Sequence, residues 1–204
     1  SMTSFFTTGG MRGHSEKMMA NFFPRTHNMG IKREIYENIG GFGELRHGQD
    51  IEFSNRIRNS NARIKFLIDA VVYHRRRSSI KQFFKQVFNW GVARVNLGKI
   101  DSKMLEPIHF LPSLATLLVF SIIIGTIYYQ FPLLKLTLFF LMPLVLLAIF
   151  GAKNKKDLKV FLFLFLIIPA QIFGYGIGFI LNYLNRNIMK RDKWTGFTKN
   201  YYKK

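Results

Sequence analysis

The sequence predicts an α/β soluble part followed by α-helical transmembrane segments. Three observations predict it. Strand and helix signals alternate up to Pro107, among frequent charged residues. Beyond it, Phe110 to Leu134 carries no charge at all. The chain also combines 49% hydrophobic residues with a formal net charge of +19. That pairing is rare in a soluble domain and ordinary in a membrane protein with a basic cytoplasmic face. A basic chain can also bind phosphate backbones, but apolar stretches of this length argue against a nucleic-acid partner. With no Cys, disulfides and thiolate metal sites are excluded.

The front part, residues 1–106, reads element by element. Asn28 to Ile31 suits a short strand. Lys32 to Ile39 suits a short helix, with Gly40-Gly41 as a left-handed stop. Asp50 to Ser60 suits a helix with Ile51, Phe53 and Ile57 facing inward. Ile64 to Ile68 and Ala70 to Tyr73 read as strands. Residues 80–96 form a helix with Phe83, Phe84, Val87, Phe88 and Val92 on its apolar side and Lys81, Lys85 and Arg94 on its basic side. That make-up suits a helix lying in a membrane interface. An ordinary helix packed on the sheet has the same pattern, and both readings stay open here.

Residues 107–184 form the membrane region, with two or three transmembrane helices, and 185–204 a basic tail. Phe110 to Tyr129 and Leu133 to Phe150 are each near the roughly 20 residues that cross a bilayer. Lys135 lies where it can snorkel. Gln130-Phe131-Pro132 between them suggests a tight turn and a two-span hairpin. That hairpin would return the basic loop Lys153, Lys155, Lys156 and Lys159 to the side of the front part. Val160 to Leu184 either crosses, leaving the basic tail on the other side, or is kinked at Pro169 and stays on one side.

Asp50 follows the glycine-rich tract Gly40-Gly41-Phe42-Gly43 and Gly48, at the start of a helix. Helical N–H groups and the helix dipole favour a carboxylate there. A plain N-cap accounts for the same spacing. Glu52, two residues on, is expected to face solvent or a cation. Gln86-Val87-Phe88-Asn89-Trp90 offers an amide and an indole face four residues apart. His74-Arg75-Arg76-Arg77 follows a strand-like run. Arg12 stands in the glycine-rich loop Thr7 to Gly13, which has neither the spacing nor the Lys of a Walker A motif.

In this order and spacing, these motifs resemble the acceptor-side half of a family 2, GT-A-type bacterial membrane glycosyltransferase. The resemblance covers most of residues 3–106. It implies a GT-A-like soluble part and an inverting transfer of a sugar from a nucleotide sugar to a lipid-linked or other saccharide acceptor. The setting implied is cell-surface polysaccharide or glycolipid synthesis. Asp50 takes the place of the general base. The residue before it is Gln49, where the family usually has Glu. Gln49, Gln86, Trp90 and Arg12 would bind the acceptor. Gln86 and Trp90 match a Gln-x-x-Arg-Trp motif of processive members, with Asn89 where that motif has Arg, which favours single-sugar transfer. Arg75, Arg76 and Arg77 would meet phosphate or lipid headgroups. His74 would lie near a metal. The resemblance further implies Mg2+ or Mn2+, held by a donor-side half with an Asp-x-Asp motif. No Asp-x-Asp occurs in this sequence. The donor-side half is therefore expected on another segment or chain, and this part alone is expected to be inactive. The expected location is the inner membrane, with the front part facing the cytoplasm. The rival class is a non-enzymatic basic anchor that binds anionic lipid or a partner protein.

Overall fold

The computed structural model describes residues 26–197, apart from 66, 68–69, 71, 74–78 and 130–132; the side chains of 27, 133–140 and 155 are also outside the description. Among the described residues the chain is all-helical, with no strand and no sheet. The α/β expectation is therefore corrected. Thr26–Asn28 is a 3-10 turn, and residues 29–32 form no ladder. The described residues of 62–73 have no regular structure, and Leu67, Val72 and Tyr73 are exposed. β-Branched and aromatic runs become strands only when a neighbour pairs their backbone and covers one face. Here Asn28 Nδ2 donates to Ala70 O at 3.3 Å, and no ladder joins the two segments.

The chain divides into two compact units between Arg76 and Arg77. In the first, α1 is Arg33–Asn38 and α2 is Gln49–Asn59. Gly40 and Gly41 both have positive φ and stop α1. Gly40 N donates to Glu37 O and Gly41 N to Tyr36 O. A small core joins the two helices. The Phe53 ring lies 4.3 Å from Phe42 and 5.8 Å from Tyr36, centroid to centroid, and Ile51, Ile57 and Leu45 are buried beside it.

The second unit holds α3 (Ile80–Ile100), α4 (Leu111–Tyr129), α5 (Leu133–Lys155) and α6 (Leu158–Tyr183). A π-helical turn, Leu184–Ile188, follows. α6 is the hub, against which α3, α4 and α5 each pack. Glycines make this contact close. A Cβ on Gly91 of α3 would stand 2.7 Å from Phe179 N, and one on Gly178 of α6 would stand 2.9 Å from Phe88 C. On the other side of α6, a Cβ on Gly176 would meet Pro112 O of α4 at 2.7 Å. Backbones that nearly touch are the usual packing of apolar helices in lipid, where dispersion replaces the hydrophobic effect. The buried face of α3, from Val87 to Leu97, is packed on α6.

Contacts fix the directions. Val87 meets Gly174, and Asn96 meets Asn182, so α3 and α6 run parallel. Phe110 stacks near Phe179 and Tyr183, and Phe120 near Phe173, so α4 and α6 run antiparallel. α6 thus packs against α4 as well as α5. Because α4 and α6 are antiparallel, the start of α6, with the Lys153–Lys159 turn, lies at the end opposite the start of α4.

Pro107–Tyr129 and Leu158–Ile188 are long and apolar enough to cross a membrane. Only 17% of each apolar window is buried inside the protein. Leu114, Leu117, Leu118, Ile123, Ile124 and Ile127 of α4 all face outward. A soluble monomer rarely leaves so large a contiguous apolar surface uncovered. Pro169 is accommodated inside α6 and Pro143 inside α5.

Candidate functional site

The glycine tract and the first turn of α2 form one hydrogen-bonded assembly. Gly48 is the N-cap residue, in the left-handed region at φ 78°, and its carbonyl accepts from Ile51 N and Glu52 N. A side chain at Gly48 would be strained there. Gln49 and Asp50 follow as the first two helical residues. Gln49 Nε2 donates to Gly43 O at 2.9 Å, tying the helix start back to the glycine tract. Asp50 is half-buried, and its Oδ1 accepts from Ile51 N at 3.0 Å. Ser54 Oγ donates to Asp50 O at 2.7 Å one turn later. Asp50 and Glu52 in the first turn and Arg56 and Arg58 in the last complement the helix dipole. Partial burial pulls the Arg58 guanidinium down from its ordinary value, but an arginine stays protonated in any protein.

The two carboxylates differ in kind. Glu52 is buried, with its side chain 8% exposed, and is gripped by Arg56. Arg56 Nε donates to Glu52 Oε1 at 2.6 Å and Nη2 to Oε2 at 3.0 Å, a bidentate pair. The same guanidinium donates to Gly41 O at 2.7 Å and to Ile39 O. It also lies 5.6 Å from the centre of the Phe53 ring. Gly43 is small for this reason, since a Cβ there would stand 2.9 Å from Glu52 Oε2. Glu52 and Arg56 therefore lock the end of α1 and the glycine tract onto α2. Sequence reasoning allowed Glu52 a cation but did not name Arg56, although i,i+4 acid–base spacing signalled it.

On α3, Gln86 is half-buried and Trp90 exposed, one turn apart. Asn89, between them, has a different task. It is 1% exposed; its Nδ2 donates to Phe197 O at 3.1 Å and its Oδ1 accepts from Phe197 N at 2.9 Å. Asn96 Nδ2 donates to Trp194 O at 2.8 Å, and Phe88 packs between the Trp194 and Phe197 rings. Asn182 of α6, fully buried, donates to Val92 O and Asn96 Oδ1. Asn89 and Asn96 thus strap residues 194–197 along α3, and Asn182 holds Asn96 in place. Asn182, a polar residue in an apolar stretch, was the available sequence signal for this network.

Gln49 with Asp50 and Gln86 with Trp90 belong to different compact units. Arg12, His74, Arg75, Arg76 and Arg77 lie outside the described residues. Among the described residues no three His, Asp or Glu side chains gather to hold a metal ion. No family model matches the chain, and no curated protein or solved structure matches it.

Proposed function

We propose that the chain is the acceptor-side part of a membrane-anchored, inverting glycosyltransferase. A sugar would pass from a nucleotide sugar to a lipid-linked or membrane-proximal acceptor, in cell-surface polysaccharide or glycolipid synthesis at a bacterial inner membrane. The observation that carries this reading is the division of labour between two carboxylates in one helical turn. Glu52 is held by Arg56, whereas Asp50 is half-buried on a turn braced from three sides. A general base needs a carboxylate fixed in place yet within reach of a substrate hydroxyl. Asp50 would take the acceptor proton as the oxygen attacks the anomeric carbon and the bond to the nucleoside diphosphate breaks. The outward apolar faces of α4 and α6 support an acceptor at a membrane. The exposed Trp90 face supports stacking on a sugar ring, with Gln86 one turn away to bond its hydroxyls. The donor and its divalent cation would be held by a segment other than the described residues.

The test is sugar transfer in membranes from cells that express the chain together with its donor-side half. Radiolabel from a panel of nucleotide sugars is followed into lipid and polymer. Label incorporation that depends on the chain and drops with Asp50→Asn is the expected result. Incorporation indifferent to both would favour the basic anchor instead.

A further inference from the structure

At the turn between α5 and α6 lies a shallow, open groove of 330 Å³. Ile149, Ala152, Leu158 and Phe161 line it, with Lys153 and Lys156 exposed at its rim. The turn is fixed by its own backbone. Lys156 adopts φ 53°, Lys156 N donates to Lys153 O, and Asp157 N donates to Ala152 O, both at 3.3 Å. The Asp157 carboxylate at the groove is committed to the helix, since its Oδ1 accepts from Lys159 N at 2.9 Å and caps α6. The groove is thus apolar inside and cationic outside, and it lies where a membrane-length helix ends. Leu158 is 80% exposed beside it, a position that water disfavours and hydrocarbon does not.

We propose that this groove binds an anionic phospholipid, with an acyl chain on its apolar floor and the phosphate between Lys153 and Lys156. Charge complementarity selects an anion, and the apolar lining selects one that carries hydrocarbon. Because α4 and α6 are antiparallel, the lipid belongs to the leaflet opposite the one at which α4 begins. The proposal stands independently of any transferase activity.

Native mass spectrometry tests it directly. The purified chain is equilibrated with mixed micelles containing equal phosphatidylglycerol and phosphatidylcholine, and retained lipid is counted. Phosphatidylglycerol adducts should exceed phosphatidylcholine adducts by on the order of tenfold, given two lysines near the phosphate. The Lys153→Gln, Lys156→Gln double variant should lose that preference, and the corresponding double Arg variant should keep it. Both lysines are exposed, so helix content by circular dichroism should be the same in all three proteins. Excess inorganic phosphate should leave the adduct in place. Equal retention of the two lipids, an unchanged preference in the Gln variant, or displacement by phosphate would each overturn the proposal. So would a dimer of the chain that the Gln variant dissociates, because a second copy would then fill the groove.

Discussion

Replacing Arg56 with Met keeps the aliphatic stem over Phe53 and removes everything the guanidinium does. Two bonds to Glu52 go, and so do those to Gly41 O and Ile39 O. Glu52 then remains buried without a cation. Breaking a buried pair by removing one partner costs roughly 3–5 kcal/mol. The Arg56 side chain is 30% exposed, so water reaches one side of the pair. The lower end, about 2–3 kcal/mol, is the better expectation once that screening is allowed for. Each 1.4 kcal/mol is about tenfold in an equilibrium constant, so local opening of α2 should rise by roughly 30-fold to 100-fold. Amide hydrogen exchange reads this directly, because protection reports the free energy of local opening. Peptides covering Ile51 to Ile57 should exchange faster by that factor, while those from α6 stay unchanged. Adding Glu52→Gln should restore part of the protection, because the stranded charge is removed. Exchange within about threefold of the parent protein would refute the lock and, with it, the account of why Glu52 cannot be the base.

The remaining expectations concern chemistry, packing and orientation. In the complete enzyme, Asp50→Asn should lower kcat by on the order of 10²-fold with donor affinity intact; lost donor binding with normal kcat would make Asp50 a donor residue. Gln49→Glu should loosen the glycine tract, since a carboxylate cannot donate to Gly43 O; faster exchange at residues 41–45 would register it. The purified chain alone should release no nucleoside diphosphate from any donor tested with Mn2+, and robust release would relocate the donor site. Gly178→Leu should disrupt the α3–α6 contact and lower the melting temperature, whereas Gly125→Ala, with nothing within 4 Å of the added Cβ, should be tolerated. Single cysteines at Asn154 and Lys193 should react with an impermeant thiol reagent from opposite sides of the membrane; labelling from the same side would show that α4 and α6 do not both cross.

The apolar helices were legible because a long uncharged run has few alternatives, and Pro107 marks where composition changes. The α2 helix was legible for a similar reason: Ile51, Phe53 and Ile57 are apolar residues that the helix buries, behind a glycine stop. The strands were not legible, because propensity at Ile64 or Val72 says nothing about whether a partner strand exists to pair with them. Pairing order was also hidden. Adjacent spans joined by Gln130-Phe131-Pro132 suggest a hairpin, and α4 also meets α6, through Gly176 against Pro112 and Thr116. Nothing in the spacing of α4 alone announces that partner. Asn89 shows the limit at the candidate site. Read against the motif it is a missing arginine; in the structure it is a buried amide that holds Phe197 by both backbone groups. A substitution that costs a phosphate ligand can be the one that makes a tail dock.

The antiparallel α4–α6 pair also bears on the conflict between the third apolar stretch and the basic tail. Had α4 and α6 run parallel, Lys190, Arg191 and Lys193 would have left the end from which α4 starts. Because they run antiparallel, the tail returns to that end. Asn89 and Asn96 then tie it to α3, which leads into α4 through Asp101 and the turn at Ser102–Met104. Lys99, Lys103, Arg186, Lys190, Arg191 and Lys193 gather at this end, against the lysines of the 153–159 turn at the other. Translocation bias counts Lys and Arg in short segments beside the spans, so the two basic ends compete for the cytoplasmic side, and labelling at Asn154 and at Lys193 decides between them.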